Sequence, residues 1–136
     1  MGQALRRIDI NDEPALDLAS AERSAIAKAL SRIAAHWQLT NDEAAALSGV
    51  NVRTWSRIKD GSFKGVFSQD QRMRASLLIG LFKGLRLLFN GPLTYGWPKR
   101  PNNGFEGRTP VELMIEGGIP EMVRMRRHID GLRGGM

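Results

Sequence analysis

The sequence predicts an all-α protein: an N-terminal helix-turn-helix bundle followed by a smaller helical domain. Three observations carry that expectation. Apolar residues recur at steps of three and four, and no segment alternates as a half-buried strand does. Capping-box pairs open three segments, at Thr40/Glu43, Ser68/Gln71 and Thr109/Glu112. Residues 40–61, TNDEAAALSGVNVRTWSRIKDG, carry the signals of helix, turn and helix in order.

Residues 1–19 show little periodicity and read as an N-terminal arm, with a turn at Asn11 to Pro14. Ser20 is expected to cap a long helix to about Trp37, whose stripe is Ile26, Leu30, Ile33 and Trp37. His36 falls at its C-terminal end, where it can meet carbonyls or the dipole. In the next helix the Thr40 hydroxyl caps while Glu43 reaches back to the cap's amide. Ala44 to Leu47 make it short, and Gly49 ends it, because glycine enters the left-handed region without a Cβ penalty. Val50 plugs the corner and Asn51 caps a second helix that Gly61 terminates. Val52, Trp55 and Ile58 are expected inward, leaving Arg53, Thr54, Ser56 and Arg57 to face elsewhere. The loop 62–67 should turn Phe63 and Phe67 inward.

Ser68 opens a strongly apolar helix to about Phe89, with Met73, Leu77, Leu81, Leu85 and Leu88 on one face. Leu78, Ile79, Phe82, Leu87 and Phe89 make it apolar nearly all round, so several sides need cover. Gly80 and Gly84, one turn apart, either relieve crowding in the core or admit a second copy of the chain. Asn90-Gly91-Pro92 stops the helix, and a Pro/Gly/Asn loop over 91–108 should pack down on Tyr95, Trp97 and Phe105. Thr109-Pro110-Val111-Glu112 starts a two-turn helix ended by Gly117-Gly118. Pro120 opens a last helix to about Leu132, and Arg133 to Met136 read as a flexible tail. Met114, Met122 and Met125 are open to two readings, an adaptable partner surface or core.

At 136 residues the chain makes one or two small domains, divided here as 1–19, 20–67 and 68–136. It has no cysteine, so disulfides and thiolate metal sites are excluded. The N-terminus lacks the apolar run of a signal peptide. The longest apolar stretch, Leu77 to Phe89, is interrupted by Lys83 and Arg86 and too short to span a bilayer. These features predict a soluble, cytoplasmic protein.

The net charge of +6 is unevenly placed. Residues 1–50 carry five basic and seven acidic groups, residues 51–100 ten and two, and residues 101–136 five of each. The basic excess therefore begins at the second helix of the motif and continues through Lys59, Lys64, Arg72 and Arg74. Such a patch attracts phosphates at long range. Candidate DNA-binding residues are Arg53, Thr54 and Arg57 for bases and phosphates, Ser56 at the edge of that face, and Lys59 and Lys64 for phosphates. Asn51 joins them, although its capping role competes with a base contact. Nothing reads as catalytic. His36 and His128 lack neighbours that would make a triad or a metal site, and no glycine-rich phosphate loop is present. No enzymatic activity and no cofactor are expected.

The run Trp97…Pro101-Asn102…Gly107-Arg108-Thr109-Pro110-Val111-Glu112-Leu113-Met114…Gly117 resembles the C-terminal toxin-binding domain of the Xre/MbcA/ParS antitoxin family. The likeness covers roughly residues 20–133, since family members join an Xre-like helix-turn-helix to this domain in the same order. One departure is Pro98-Lys99-Arg100 after Trp97, where an apolar residue and a shorter link are expected. The resemblance implies the antitoxin of a type II toxin–antitoxin system. The partner implied is a RES-domain or ADP-ribosyltransferase-like toxin that acts on NAD. It further implies a homodimer that represses its own operon by binding operator DNA and covers the toxin's active site with its C-terminal region. Here those toxin-binding positions are Arg124, Arg126, Arg127, His128, Arg133, Gly134, Gly135 and Met136. The alternative is a stand-alone transcriptional regulator whose C-terminal domain dimerises or senses a ligand. That alternative leaves the GRTPVEL element without a reason.

Overall fold

Helix α1 runs from Asp12 to His36 in the computed structural model, which describes residues 12–134 and their side chains from Leu18 onward. The expected start at Ser20 is therefore corrected. Pro14 falls in the first turn, where the missing N–H costs the helix nothing, so Asn11 to Pro14 does not have to break it. Ser20 lies within α1 and accepts a hydrogen bond from Arg23 Nη2 at 3.2 Å. Residues 1–11, most of the expected arm, lie outside the described residues.

The motif follows as α2, Asn41–Ser48, and α3, Val52–Asp60. Helix α4 spans Gln69–Leu88 behind the Ser68 cap. The expected 91–108 loop is more structured than its composition implies. It holds a one-turn helix α5, Leu93–Gly96, and 3-10 turns at Trp97–Lys99 and Asn103–Phe105. An isolated antiparallel bridge between Asn102 and Arg108 closes it. Trp97 and Phe105 are buried as expected and Tyr95 is half-buried. Helix α6 covers Pro110–Gly117, and α7 covers Ile119–Gly134. Arg133 and Gly134 thus belong to a helix and not to a tail. No described helix is long and apolar enough to cross a membrane.

Burial corrects two of the expected stripes. Val52 is 45% exposed, because the first residue of α3 protrudes past the corner; Trp55 and Ile58 are buried. On α4 the buried face is Ala75, Leu78, Leu81, Phe82 and Leu85, which rotates Met73 out to 47% exposure and Leu87 to 71%. Phe67 is buried and Phe63 half-buried, their rings 4.8 Å apart.

Helix α4 is the hub, packed against α7 and α1 on different sides. Gly80 and Gly84 face α7 of the same chain: a Cβ at Gly80 would collide with the Arg126 guanidinium, and one at Gly84 would meet Ile129 Cγ2 at 3.1 Å. That close approach is the use the glycines serve here. Met114, Met122 and Met125 are core, none more than 1% exposed. The buried apolar residues of α1 to α4, α6 and α7 join in one cluster, which crosses the expected boundary at residue 67.

Candidate nucleic-acid and partner interfaces

The geometry of the α2–α3 motif is set by its caps. The Thr40 hydroxyl accepts from Glu43 N at 3.1 Å while Glu43 Oε1 accepts from Thr40 N at 2.9 Å. Gly49 ends α2 in the left-handed region, φ 75°. Its carbonyl accepts from Gln71 Nε2 at 3.1 Å, and the Arg74 guanidinium donates to Ala46 O at 3.4 Å, so α4 holds the corner from behind. Asn51 Oδ1 accepts from Thr54 N at 2.7 Å, and Gly61 closes α3 at φ 84°. One lone pair of the Asn51 oxygen is committed to the cap, and the NH2 end of that side chain remains free to donate to another partner.

Burial of Trp55 and Ile58 fixes how α3 is rotated. Arg53, Ser56 and Arg57 are exposed, and they are neighbours on one helical face at steps of three and four. Thr54 is half-buried. Lys59 leans back across the motif, its Nζ donating to Asn41 Oδ1 at 3.1 Å. Lys64 is exposed on the following loop, and its carbonyl accepts from Arg23 Nη1 at 3.4 Å. The Asp60 carboxylate accepts from Ser62 N at 2.8 Å, and these Ser62 hydrogen bonds hold its pKa below the ordinary value. The exposed face is therefore cationic and hydrogen-bonding, with a capped and rigid backbone beneath it.

The C-terminal candidates separate into two groups. Arg124 pairs with Glu121 at 2.6 Å and lies 5.2 Å from the Phe105 ring centroid. His128 stacks on Trp97, centroids 6.1 Å apart, and meets Phe105 edge-on at 5.3 Å. Arg124 and His128 thus form an exposed ledge over the buried rings of Trp97 and Phe105. Arg126 and Arg133 instead share Asp130, each at 3.3 Å, on the side of α7 that meets α4. Arg127 is exposed and makes no ion pair among the described residues, and Gly134 is exposed at the helix end. Gly135 and Met136 lie outside the described residues.

Sequence reasoning missed Lys99 as a connector. Its Nζ donates to Glu43 Oε1 at 3.0 Å and to Gln38 O at 3.1 Å, tying the 97–105 segment to the cap of α2. Burial raises the Glu43 pKa, but the Thr40 hydrogen bonds and the Lys99 ammonium outweigh it, so the net shift is downward. The unexpected Pro98-Lys99-Arg100 was the available signal.

A family model for the antitoxin Xre-like helix-turn-helix domain matches residues 17–80. The chain is 32% identical over 118 residues to the y4oB protein of Sinorhizobium fredii, itself described as uncharacterized, covering 85% of this chain and 90% of that one. Its fold is similar to a chain in the crystal structure of the M. tuberculosis MbcT–MbcA toxin–antitoxin complex. There the TM-score is 0.54 at 21% identity, over 81% of this chain and 95% of that chain.

Proposed function

We propose, since this chain belongs to the family of antitoxins built on an Xre-like helix-turn-helix, that it represses its own operon through α3 and neutralises a NAD-directed toxin through its C-terminal region. The observation that carries the DNA half is the outward face of α3, where Arg53, Ser56 and Arg57 stand on a helix capped at both ends. A helix of this kind enters the major groove with its first turns against base edges, and arginine is the side chain best suited to guanine. The toxin is a RES-domain or ADP-ribosyltransferase-like enzyme. The described fold resembles a chain taken from a toxin–antitoxin complex, which supports a protein partner for the C-terminal half.

In this reading residues 20–67 supply the operator contact and residues 68–136 supply dimerisation and the toxin contact. Neutralisation is steric: exposed Arg124, Arg127 and His128, backed by the buried Trp97 and Phe105, together with the residues after Leu132, cover the toxin's substrate cleft and need no chemistry of their own. Arg126 and Arg133 each pair with Asp130 on the side of α7 that faces α4.

Co-expression with the neighbouring reading frame, following cellular NAD and growth, tests the toxin half, while fluorescence anisotropy on the upstream duplex tests the DNA half. Arg53→Ala with Arg57→Ala is expected to weaken operator binding by about 1–3 kcal/mol for each arginine that reads a base, and to leave NAD protected. Arg127→Glu with His128→Ala is expected to do the reverse. Equal damage to both readouts by both pairs refutes the separation of surfaces.

A further inference from the structure

An open cavity of about 480 Å³ lies beside α3, where the middle of α1 meets the end of α3 and the loop after it. Its walls include Lys59, Asp60 and Gly61 at the end of α3, Lys64 on the loop, and Arg23 and Lys28 on α1. The one carboxylate among these, Asp60, is turned into its own hydrogen bond with Ser62 N. Among the described residues Arg23 donates only to neutral acceptors, Ser20 Oγ at 3.2 Å and Lys64 O at 3.4 Å. Neither Arg23 nor Lys28 has an ion-pair partner among the described residues, whereas Arg72, Arg74, Lys99 and Arg108 each have one. Ser31 also lines the cavity, and its buried hydroxyl has no hydrogen-bond partner among the described residues.

We infer that this cavity receives a backbone phosphate of the duplex that α3 reads, with Arg23 and Lys28 as its principal ligands. The inference rests on the reading of α3 as the DNA-contacting helix and extends the contact surface onto α1, outside the motif. Position favours a duplex phosphate: whatever fills the cavity touches the last turn of α3. Chemistry favours it too, because arginine, lysine and hydroxyl groups make most phosphate contacts, and these carry register without sequence. An open, concave site whose rim carries two cations without an ion-pair partner among the described residues suits a phosphodiester.

The test is fluorescence anisotropy of the full chain on its upstream duplex and on an unrelated duplex, titrated across salt. Wild type sets the slope of log K against log salt. Arg23→Ala with Lys28→Ala should make the slope shallower by about one, for one phosphate no longer neutralised, and weaken both duplexes by about tenfold near 0.1 M salt. Arg23→Lys should retain most of the slope. Lys83→Ala with Arg86→Ala removes the same charge from α4 outside the cavity and should leave the slope near that of wild type. A slope unchanged in the Arg23/Lys28 pair, or lowered equally by the Lys83/Arg86 pair, overturns the site while leaving DNA binding by α3 intact. Failure of the wild-type chain to bind any duplex overturns both readings. Circular dichroism melts confirm that each variant is folded.

Discussion

Gly80 and Gly84 sit one turn apart on α4 against the same helix, yet they should not tolerate a methyl group alike. A Cβ at Gly80 meets the guanidinium of Arg126, the end of a flexible and partly exposed side chain that can swing away. The loss is then the Arg126–Asp130 pair, and half-exposed pairs contribute only about 0–1 kcal/mol. Replacing a mid-helix glycine by alanine returns about 1 kcal/mol of helix propensity, so Gly80→Ala should be neutral or slightly stabilising. A Cβ at Gly84 meets Ile129, which is 0% exposed and has nowhere to go. Overpacking of that kind costs about 1–3 kcal/mol, so Gly84→Ala should lose about 1 kcal/mol net. Urea midpoints of the two variants decide it; the opposite order would mean that α7 does not seat on α4 in this register. The sequence made the small residues legible but not their neighbour, because spacing along α4 says nothing about which helix crosses it. The same gap hid Lys99, whose partners Gln38 and Glu43 lie far back in the chain.

At the scale of the helix, three carboxylates that organise helix ends or turns have lowered pKa values. Burial raises Glu43, but the Thr40 hydrogen bonds and Lys99 outweigh it; Ser62 lowers Asp60; the Thr109 backbone hydrogen bond lowers Glu112. A depressed carboxylate contributes stability that is present above its ordinary value, 4.5 for glutamate and 3.8 for aspartate here, and is lost as pH falls through the folded-state value. These three groups should therefore contribute fully from neutral pH down to about 5, and the chain should lose that share of its stability as pH falls below about 4. Glu43→Gln separates the causes. Glutamine can complete a capping box, as Gln71 does beside Ser68, so the variant keeps the cap but loses the Lys99 charge pair and the titration. Its urea midpoint should fall slightly at pH 7, and its acid limb should be shallower than that of wild type. An identical acid limb would show that Glu43 is not among the groups responsible. These caps were legible because they are local: Thr40, Asn51, Ser68 and Thr109 each bond within three residues. The start of α1 was not, since Pro14 signals a turn and a helix N-terminus equally well. The outward rotation of Val52 and Met73 was hidden as well, because a stripe counted along one helix cannot reveal where its neighbours stop.

For the whole molecule the question is whether the helix-turn-helix stands alone. Its buried residues, Leu47, Trp55 and Ile58 among them, belong to the same cluster as Met114, Met125 and Ile129 from the C-terminal helices. Helix α4 links the two halves, meeting α1 on one side and α7 on another, and Lys99 adds a polar tie to the α2 cap. A shared core of this size should unfold as one cooperative unit. The three tryptophans make that measurable, since Trp55 lies on α3 and Trp97 beneath His128. In two single-tryptophan backgrounds, with the other tryptophans replaced by phenylalanine, fluorescence at Trp55 and at Trp97 should report the same urea midpoint. Met125→Ala, which empties a fully buried position on α7, should cost about 2–5 kcal/mol and move both midpoints together within each background. If only Trp97 moves, the halves fold independently and the boundary near residue 67 is a true domain boundary. If both move, a partner that grips α7 and not the unfolded chain stabilises α3 by mass action, although it touches no residue of the motif. Toxin binding would then raise the thermal midpoint seen at Trp55 as much as the one seen at Trp97, which gives occupancy of the C-terminal surface a physical route to the motif.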